Sequence, residues 1–142
     1  MRYTCKIIKL SYFDDYQTSV SAIFDGTEIS ALTPIPYYDA KNIFRENSVM
    51  ETDIYIFSGN IESVKGSTEC LYISKSGGSV LLEGKIETIR DNSLFSIRGK
   101  SFLFDMWSTA SFIPHIGENV SCSGYFEIFP VSGKFSFESC WN

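Results

Sequence analysis

Hydrophobic and polar residues alternate along most of this chain, in short runs that turn-forming residues interrupt about every ten positions. The clearest run is 80–89, where Leu82 and Ile86 share one face of an extended strand. The charged residues Glu83 and Lys85 share the other face. This pattern predicts strands that bury one side and expose the other to water.

Turn chemistry divides the chain into a series of such strands. Asp25-Gly26, after an apolar run, is the strongest signal for a tight hairpin. The long run 49–64 is either one bent strand or two. No stretch has sustained helical periodicity, and only 39–44 favours a short helix, capped by Asp39. The predicted strands are 6–13, 19–24, 28–33, 49–64, 69–74, 80–89, 94–97, 102–107, 120–129 and 134–141.

The order of these elements repeats. Two dipeptides recur 72 residues later, Glu46-Asn47 as Glu118-Asn119 and Ile56-Phe57 as Ile128-Phe129. Each half reads as three strands, an irregular or briefly helical connection and two more strands. This order resembles the five-strand plan of an OB barrel, and the resemblance rests on strand order and a few turn residues.

We therefore predict an all-β fold, a compact antiparallel barrel or sandwich of about ten strands, with less than about a sixth of the residues in helices. The preferred organisation is a single β domain over 1–142. The alternative is two OB-like halves, a pseudo-repeat of 1–72 and 73–142.

Composition agrees with a folded β-protein. The chain has 142 residues, of which 44% are hydrophobic, with twelve Phe, eight Tyr and two Trp. Aromatic side chains suit a pleated surface, and a chain of this length buries enough area to need no metal or disulfide. No apolar run approaches the ~20 residues that span a bilayer. The first residues do not resemble a signal peptide, so we expect a cytoplasmic protein without membrane contact.

Cysteine and histidine offer little chemistry. Cys5, Cys70, Cys122 and Cys140 are dispersed, which favours small apolar fillers of a core, and a Cys122–Cys140 bridge is the one disulfide left open. The single histidine, His115, lies in an apolar loop and is interpreted as a partly buried structural residue.

The motifs expected of an enzyme are missing from the sequence. No G-x-S-x-G nucleophile elbow, glycine-rich phosphate loop or cluster of metal ligands occurs. The carboxylate pairs Asp14-Asp15 and Glu51/Asp53 have no visible acid or metal partner. We expect no catalysis, no cofactor and no metal.

Charge is more informative than any motif. Residues 14–62 carry nine acidic side chains but only Lys41 and Arg45, a net charge of −7. Tyrosines beside carboxylates suit a protein interface, where aromatic rings anchor and charge steers, although a solvated face explains the charge equally well. The candidate partner-binding residues are Asp14, Asp15, Tyr37, Tyr38, Asp39, Glu46, Glu51 and Asp53.

Two hypotheses of function follow. The first is a non-catalytic protein that binds a basic protein, resembling in type the immunity proteins that neutralise bacterial nuclease toxins. The second is an OB-like module for single-stranded nucleic acid, with the apolar strand 102–107 as a stacking platform. Its basic residues are Lys75, Lys85, Arg90, Arg98 and Lys100. The acidic composition makes nucleic acid the less favoured partner. A third class, a subunit that assembles through edge strands, and the oligomeric state stay open.

Overall fold

Nine strands and two short helices make up a computed structural model that describes residues 1–66, 69–74, 76 and 78–141. The strands are β1 (Arg2–Tyr12), β2 (Thr18–Phe24), β3 (Thr27–Thr33), β4 (Val49–Ser63), β5 (Cys70–Ile73), β6 (Val80–Asp91), β7 (Leu94–Arg98), β8 (Leu103–Trp107) and β9 (Asn119–Pro130). The helices are α1 (Tyr37–Ile43) and α2 (Phe137–Trp141), of seven and five residues. The predicted all-β fold is confirmed.

The chain forms two compact units. Unit 1 contains residues 1–54 and 126–142, and unit 2 contains residues 55–125. Their boundaries differ from the predicted halves, because β4 and β9 each continue from one unit into the other. The prediction of a single domain over 1–142 stays a prediction.

Unit 1 is built around the hairpins of β1, β2 and β3. β1 pairs with β2 over its second half and with β4 over its first half, from Arg2 opposite Asp53 to Lys6 opposite Val49. β3 pairs with β9 in parallel at Leu32. The order β1-β2-β3-β9-β4, with β4 returning to β1 and α1 between β3 and β4, is the OB-like plan.

Unit 2 has the same plan without the helix. β6, β7 and β8 form an antiparallel meander, and β8 then pairs in parallel with β4, with Tyr55 opposite Asp105. β9 lies between β6 and β4, where the Val64 amide donates to the Asn119 carbonyl at 3.0 Å. β5 is added on the other side of β6.

The internal repeat is geometric, and its register differs from the predicted one. Ile7 exchanges backbone hydrogen bonds with Ser48 and Asn47, and Ile86 exchanges them with Glu118 and Gly117. Asn47 therefore corresponds to Gly117, and both have positive φ angles, 63° and 84°. The expected match of Glu46-Asn47 with Glu118-Asn119 is wrong by two residues. The match of Ile56-Phe57 with Ile128-Phe129 stays a prediction.

Several local predictions are confirmed. The hairpin at Asp25-Gly26 has φ angles of 48° and 75°, which a two-residue turn of this type requires. The run 49–64 forms one strand. A helix forms near 39–44, but it begins at Tyr37 after Pro36, and Asp39 lies in its first turn rather than at its cap.

The predicted strand 134–141 is wrong. Gly133 turns the chain with a φ of 90° after β9 ends at Pro130. The Ser136 hydroxyl then accepts a hydrogen bond from the Ser139 amide at 3.3 Å, which caps α2. Phe137 packs edge-on against Phe129 with ring centroids 5.1 Å apart. The alternation of apolar residues looked like a strand, but a serine cap and this contact favour a helical turn.

Each unit has its own apolar core. In unit 1 the fully buried residues include Ile7, Val20 and Ile54, and in unit 2 they include Leu82, Ile97 and Met106. Cys5 and Cys122 are buried free thiols, as expected of core fillers, whereas Cys70 is half-buried. Burial raises the pKa of Cys122 to about 12. The side chain of Cys140, the other half of the bridge left open above, lies outside the described residues.

A glycine in β9 is required by the close approach of β4. A Cβ atom at Gly124 would lie 1.9 Å from the Phe57 carbonyl oxygen, whereas a Cβ at Gly59 in β4 would have no atom within 4 Å. We expect Gly124→Ala to lower the free energy of unfolding by more than ~3 kcal/mol, because a backbone must move. Gly59→Ala should change it by less than ~1 kcal/mol.

Urea denaturation followed by circular dichroism measures both variants. Equal stability of Gly124→Ala and Gly59→Ala would contradict the close pairing of β4 and β9 in unit 2.

Candidate functional site

Five exposed aromatic side chains lie in two neighbouring segments of unit 1. They are Tyr12, Phe13, Tyr16, Tyr37 and Tyr38. Thr18 joins the two segments, because it pairs with Tyr12 on one side and Thr33 on the other. Its hydroxyl also donates to the Ile35 carbonyl at 2.7 Å. The β1–β2 turn and the start of α1 are therefore held beside each other.

The β1–β2 turn is organised by a carboxylate. Asp14 Oδ1 accepts hydrogen bonds from the amides of Tyr16, at 2.8 Å, and Gln17, at 2.7 Å. The Asp14 amide donates to the Gln17 carbonyl at 3.2 Å, which closes the turn. This is the local bonding for which aspartate is favoured in turns. It leaves the side chains of Phe13 and Tyr16 exposed to solvent, Tyr16 to 78%.

The second segment is anchored by a buried side chain. Ile35 is fully buried, and Pro36 has an extended ψ of 147° that precedes the helical turn. Tyr37 and Tyr38 follow in the first turn of α1, and Tyr38 is 73% exposed. The ammonium of Lys41 lies 5.0 Å from the centre of the Tyr38 ring. The exposed face of this ring is thus already in contact with a cation.

Two further carboxylates border the rings. The Tyr12 hydroxyl donates to Asp15 Oδ1 at 2.5 Å, and this hydrogen bond raises the pKa of Tyr12. Asp39 makes no side-chain hydrogen bond or ion pair with any residue in the described part of the chain. We call these residues the tyrosine–aspartate surface: Tyr12, Phe13, Asp14, Asp15, Tyr16, Tyr37, Tyr38 and Asp39.

The other three predicted acidic residues have partners that are not part of this surface. Glu46 accepts a hydrogen bond from the Leu10 amide at 3.0 Å, so its carboxylate holds the α1–β4 connection against β1. Asp53 forms an ion pair with Arg2, at 3.2 Å, and Glu51 lies opposite Thr4. These last two pair with the first residues of β1, whereas Tyr12 is its last residue.

Pairing with β1 also changes the charge around Glu51 and Asp53. Arg2 and Lys6 are exposed on the same side of β1 as Thr4, next to the two carboxylates. The net charge of −7 over 14–62 is therefore not the charge of a surface. Unit 1 as a whole has ten acidic and six basic side chains, a net charge of −4.

Sequence reasoning missed Tyr12, Phe13 and Tyr16. The pattern predicts a strand over 6–13, which assigns Tyr12 and Phe13 to the sheet. The available signal was the position of these residues on both sides of Asp14-Asp15, because residues that flank a turn of this kind project into water.

The basic residues of the nucleic-acid hypothesis do not all line one groove of unit 2. Lys85, Arg98 and Lys100 line a groove of about 540 Å³ together with Glu69 and Glu87. Arg98 Nε lies 2.5 Å from Glu87 Oε1, and this hydrogen bond raises the pKa of Arg98. The remaining two basic residues are elsewhere: Arg90 lines a separate cavity of about 180 Å³, and Lys75 lies outside the described residues.

The aromatic residues of β8 also divide by face. Phe104 and Met106 are buried, whereas Trp107 is half-buried on the opposite face. The Trp107 ring packs against Phe57 with centroids 4.5 Å apart and an interplanar angle of 54°. Phe57 in turn packs against Tyr125 at 5.3 Å. These rings contact each other at an angle rather than presenting parallel faces for bases.

The expectation of a partly buried histidine is wrong. His115 is 72% exposed, and its Nδ1 lies 3.6 Å from Glu118 Oε1. The loop between β8 and β9 is fixed at Gly117, which bonds to Ile86, and this arrangement leaves Ile113 and Ile116 exposed as well.

The comparisons with known proteins identify no relative. No family model matches the chain, and neither a curated protein nor a solved structure is similar to it. Among the described residues, no three His, Cys, Asp or Glu side chains form a group that could hold a metal. Neither helix in the described part of the chain has the length and apolar character needed to cross a bilayer. Function must therefore be argued from the surfaces themselves.

The contact between Tyr12 and Asp15 predicts a pH-dependent signal from the surface. The hydrogen bond to Asp15 stabilises the protonated Tyr12 hydroxyl, and ionised Tyr12 would also place a second negative charge beside this carboxylate, so the Tyr12 pKa should lie above its ordinary value of about 10. Asp15→Asn removes that charge and should lower the Tyr12 pKa towards the ordinary value.

Carbon-13 NMR of labelled tyrosine rings, recorded between about pH 8 and pH 12, measures this pKa. Glu28→Gln, a charge change at the start of β3, is the control and should leave it unaltered. An identical Tyr12 pKa in wild type and Asp15→Asn would contradict the contact.

Proposed function

We propose that this protein is a non-catalytic binding protein whose tyrosine–aspartate surface docks a basic protein, in the manner of the immunity proteins that neutralise bacterial nuclease toxins. The observation that carries the proposal is the juxtaposition of five exposed aromatic rings with three aspartates in one part of unit 1. Tyrosine is among the residues that dominate binding energy in protein interfaces.

The exposed rings are costly for a protein without a partner. An aromatic side chain buries about 150–250 Å² when covered, and exposed apolar side chains that lie close together are typical of interaction sites. The segments that carry the rings are held by the Thr18 hydroxyl, which donates to the Ile35 carbonyl, and by the Asp14 amide, which donates to the Gln17 carbonyl. A preorganised surface loses less conformational entropy when it binds.

The charge of the surface supports a basic partner. From Tyr12 to Lys41 the only basic residue is Lys41 itself. Asp15 and Asp39 lie beside the rings. A partner that presents arginine or lysine would meet carboxylates at the rim and aromatic faces at the centre, where cations are also attracted to the rings. Nuclease active sites must attract phosphates, so their surfaces have the required positive charge.

The alternative is a module for single-stranded nucleic acid in unit 2. The groove with Lys85, Arg98 and Lys100 supports it, since phosphates require such groups. Against it, Glu87 neutralises Arg98, and unit 2 has six basic and seven acidic side chains. The alternative therefore ranks second.

The outer face of β2 and β3 also argues against a nucleic-acid surface in unit 1. It carries small hydroxyl side chains such as Ser19, Ser21 and Ser30, where an OB-type binder would present aromatic rings.

The proposal predicts separate kinetic effects of charge and ring substitutions. In Asp15→Lys/Asp39→Lys, association with the partner should slow by about tenfold at low salt, because steering is lost. In Tyr16→Ala and Tyr38→Ala, dissociation should accelerate instead, since anchor residues act on the lifetime of the complex. Surface plasmon resonance at several salt concentrations separates the two effects.

The choice of variants follows from the contacts. Glu46 and Asp53 are avoided because they bond to the Leu10 backbone and to Arg2, whereas Asp15 bonds to the exposed Tyr12 hydroxyl within the surface itself. Glu28→Lys is the control at the other end of β2 and β3, and it changes the charge by +2, as each of the two single substitutions does. It should bind like wild type if docking is local.

The partner is obtained by affinity capture from native extract with wild type, Glu28→Lys and Asp15→Lys/Asp39→Lys as baits. A basic protein retained by the first two and lost by the third supports the proposal. Oligonucleotide binding that is lost on reversal of Lys85 and Lys100, with no captured protein, would overturn it in favour of the alternative.

A further inference from the structure

β5 is the strand with an open edge. In the part of the chain that the structure describes, β5 pairs only with β6, whereas each of the other strands pairs on both sides. Its sequence, Cys70-Leu71-Tyr72-Ile73, contains no charged residue and no proline. Charged residues and proline are two of the means by which proteins protect an exposed edge from pairing with another strand, so β5 is protected only by its length of four residues.

The register of β5 with β6 shows which backbone groups face the open edge. The Ser74 amide donates to the Ser79 carbonyl at 2.9 Å, and these two residues lie directly opposite each other. Hydrogen-bonded pairs alternate along an antiparallel ladder, so Tyr72 bonds to β6 at the next such pair. The backbone N–H and C=O groups of Leu71 and Ile73 therefore point away from β6, towards the open edge.

The side chains divide in the same alternating way. Tyr72 is 60% exposed and lies opposite Leu81, which is also exposed. The two residues line an apolar groove of about 530 Å³ that continues to Tyr125. Leu71 and Ile73 point to the other face, where they lie opposite the buried residues Leu82 and Val80.

We propose that the occupant of this edge is β5 of a second copy of the chain, paired antiparallel across a two-fold axis that passes beside Tyr72. In this register Leu71 of each copy lies opposite Ile73 of the other. Both outward-facing N–H groups and both outward-facing C=O groups of each copy then form hydrogen bonds. The two Tyr72 side chains face each other as a non-hydrogen-bonded pair, the closest type of cross-strand neighbour.

The absence of charged residues in β5 suits pairing with a second copy. A two-fold axis places residues beside their own symmetry equivalents, so any charged residue at the centre of such an edge would repel itself. β5 has none. The apolar grooves of the two copies become continuous through Tyr72 and Leu81. Because each copy uses its own β5 edge across the two-fold axis, the arrangement is closed and assembly ends at a dimer.

The dimer is expected to be weak. A four-residue edge and its groove are smaller than the ~800 Å² per partner of a standard interface. Analytical ultracentrifugation of the full chain from about 1 μM to about 1 mM should therefore show a reversible monomer–dimer equilibrium. Tyr72→Lys and Tyr72→Glu should each raise the dissociation constant at least ~10-fold, because equal charges face each other on the axis.

The decisive measurement is an equimolar mixture of the two variants. Lysine opposite glutamate is attractive, so the mixture should recover a dimer although each variant alone is monomeric. The matched controls are Ile113→Lys and Ile113→Glu, at an exposed position of the β8–β9 loop, and both should dimerise like wild type.

Three outcomes would each overturn the proposal. They are a wild type that stays monomeric throughout the concentration range, a dimer that survives in both Tyr72 variants, and a mixture that fails to recover dimerisation. Circular dichroism confirms that the variants are folded, which is expected because Tyr72 is exposed.

Discussion

Each unit depends on one long strand that changes its pairing partner half-way along. β1 leaves β4 near Lys6 and continues with β2, and its register with β2 shifts between Ile7 and Lys9. β6 leaves β9 near Lys85, and its register with β7 shifts between Ile86 and Thr88. Such a bulge bends the strand and increases its twist. A single bent strand can therefore hydrogen-bond to two neighbours, which a straight strand of the same length cannot do.

The same bend determines where the tyrosine–aspartate surface lies. The Ile7 backbone is held by Asn47 and Ser48, so the second half of β1 extends away from β4 and ends at Tyr12. Residues that are acidic in one stretch of sequence are thereby separated. Asp53, beside the first half of β1, pairs with Arg2. Asp15, at the far end of β1, accepts a hydrogen bond from Tyr12. A net charge calculated along the chain does not describe either location.

The candidate site was predictable only in part. Tyr37, Tyr38 and Asp39 were identified because proline and aromatic residues interrupt the strand pattern, a local signal. Tyr16 was missed because its exposure depends on the bonds that Asp14 makes to the turn. Glu46 was included for its charge, but its carboxylate accepts a bond from Leu10, thirty-six residues earlier. A contact across that separation leaves no trace in the pattern of neighbouring residues.

The sequence by itself determined the strands, the Asp25-Gly26 hairpin and the all-β class, because alternation and turn propensity act over a few residues. The predicted fifth strands of the two halves, 69–74 and 134–141, are wrong in that role, because β5 pairs with β6 and 134–141 contains α2. Tertiary structure decided that β4 and β9 are divided between the units and that 134–141 ends in a helix. It also decided that Asn47 corresponds to Gly117 in the repeat. These depend on which backbone groups meet across long loops, and hydrogen bonding between distant strands is a property of the folded chain that no local preference encodes.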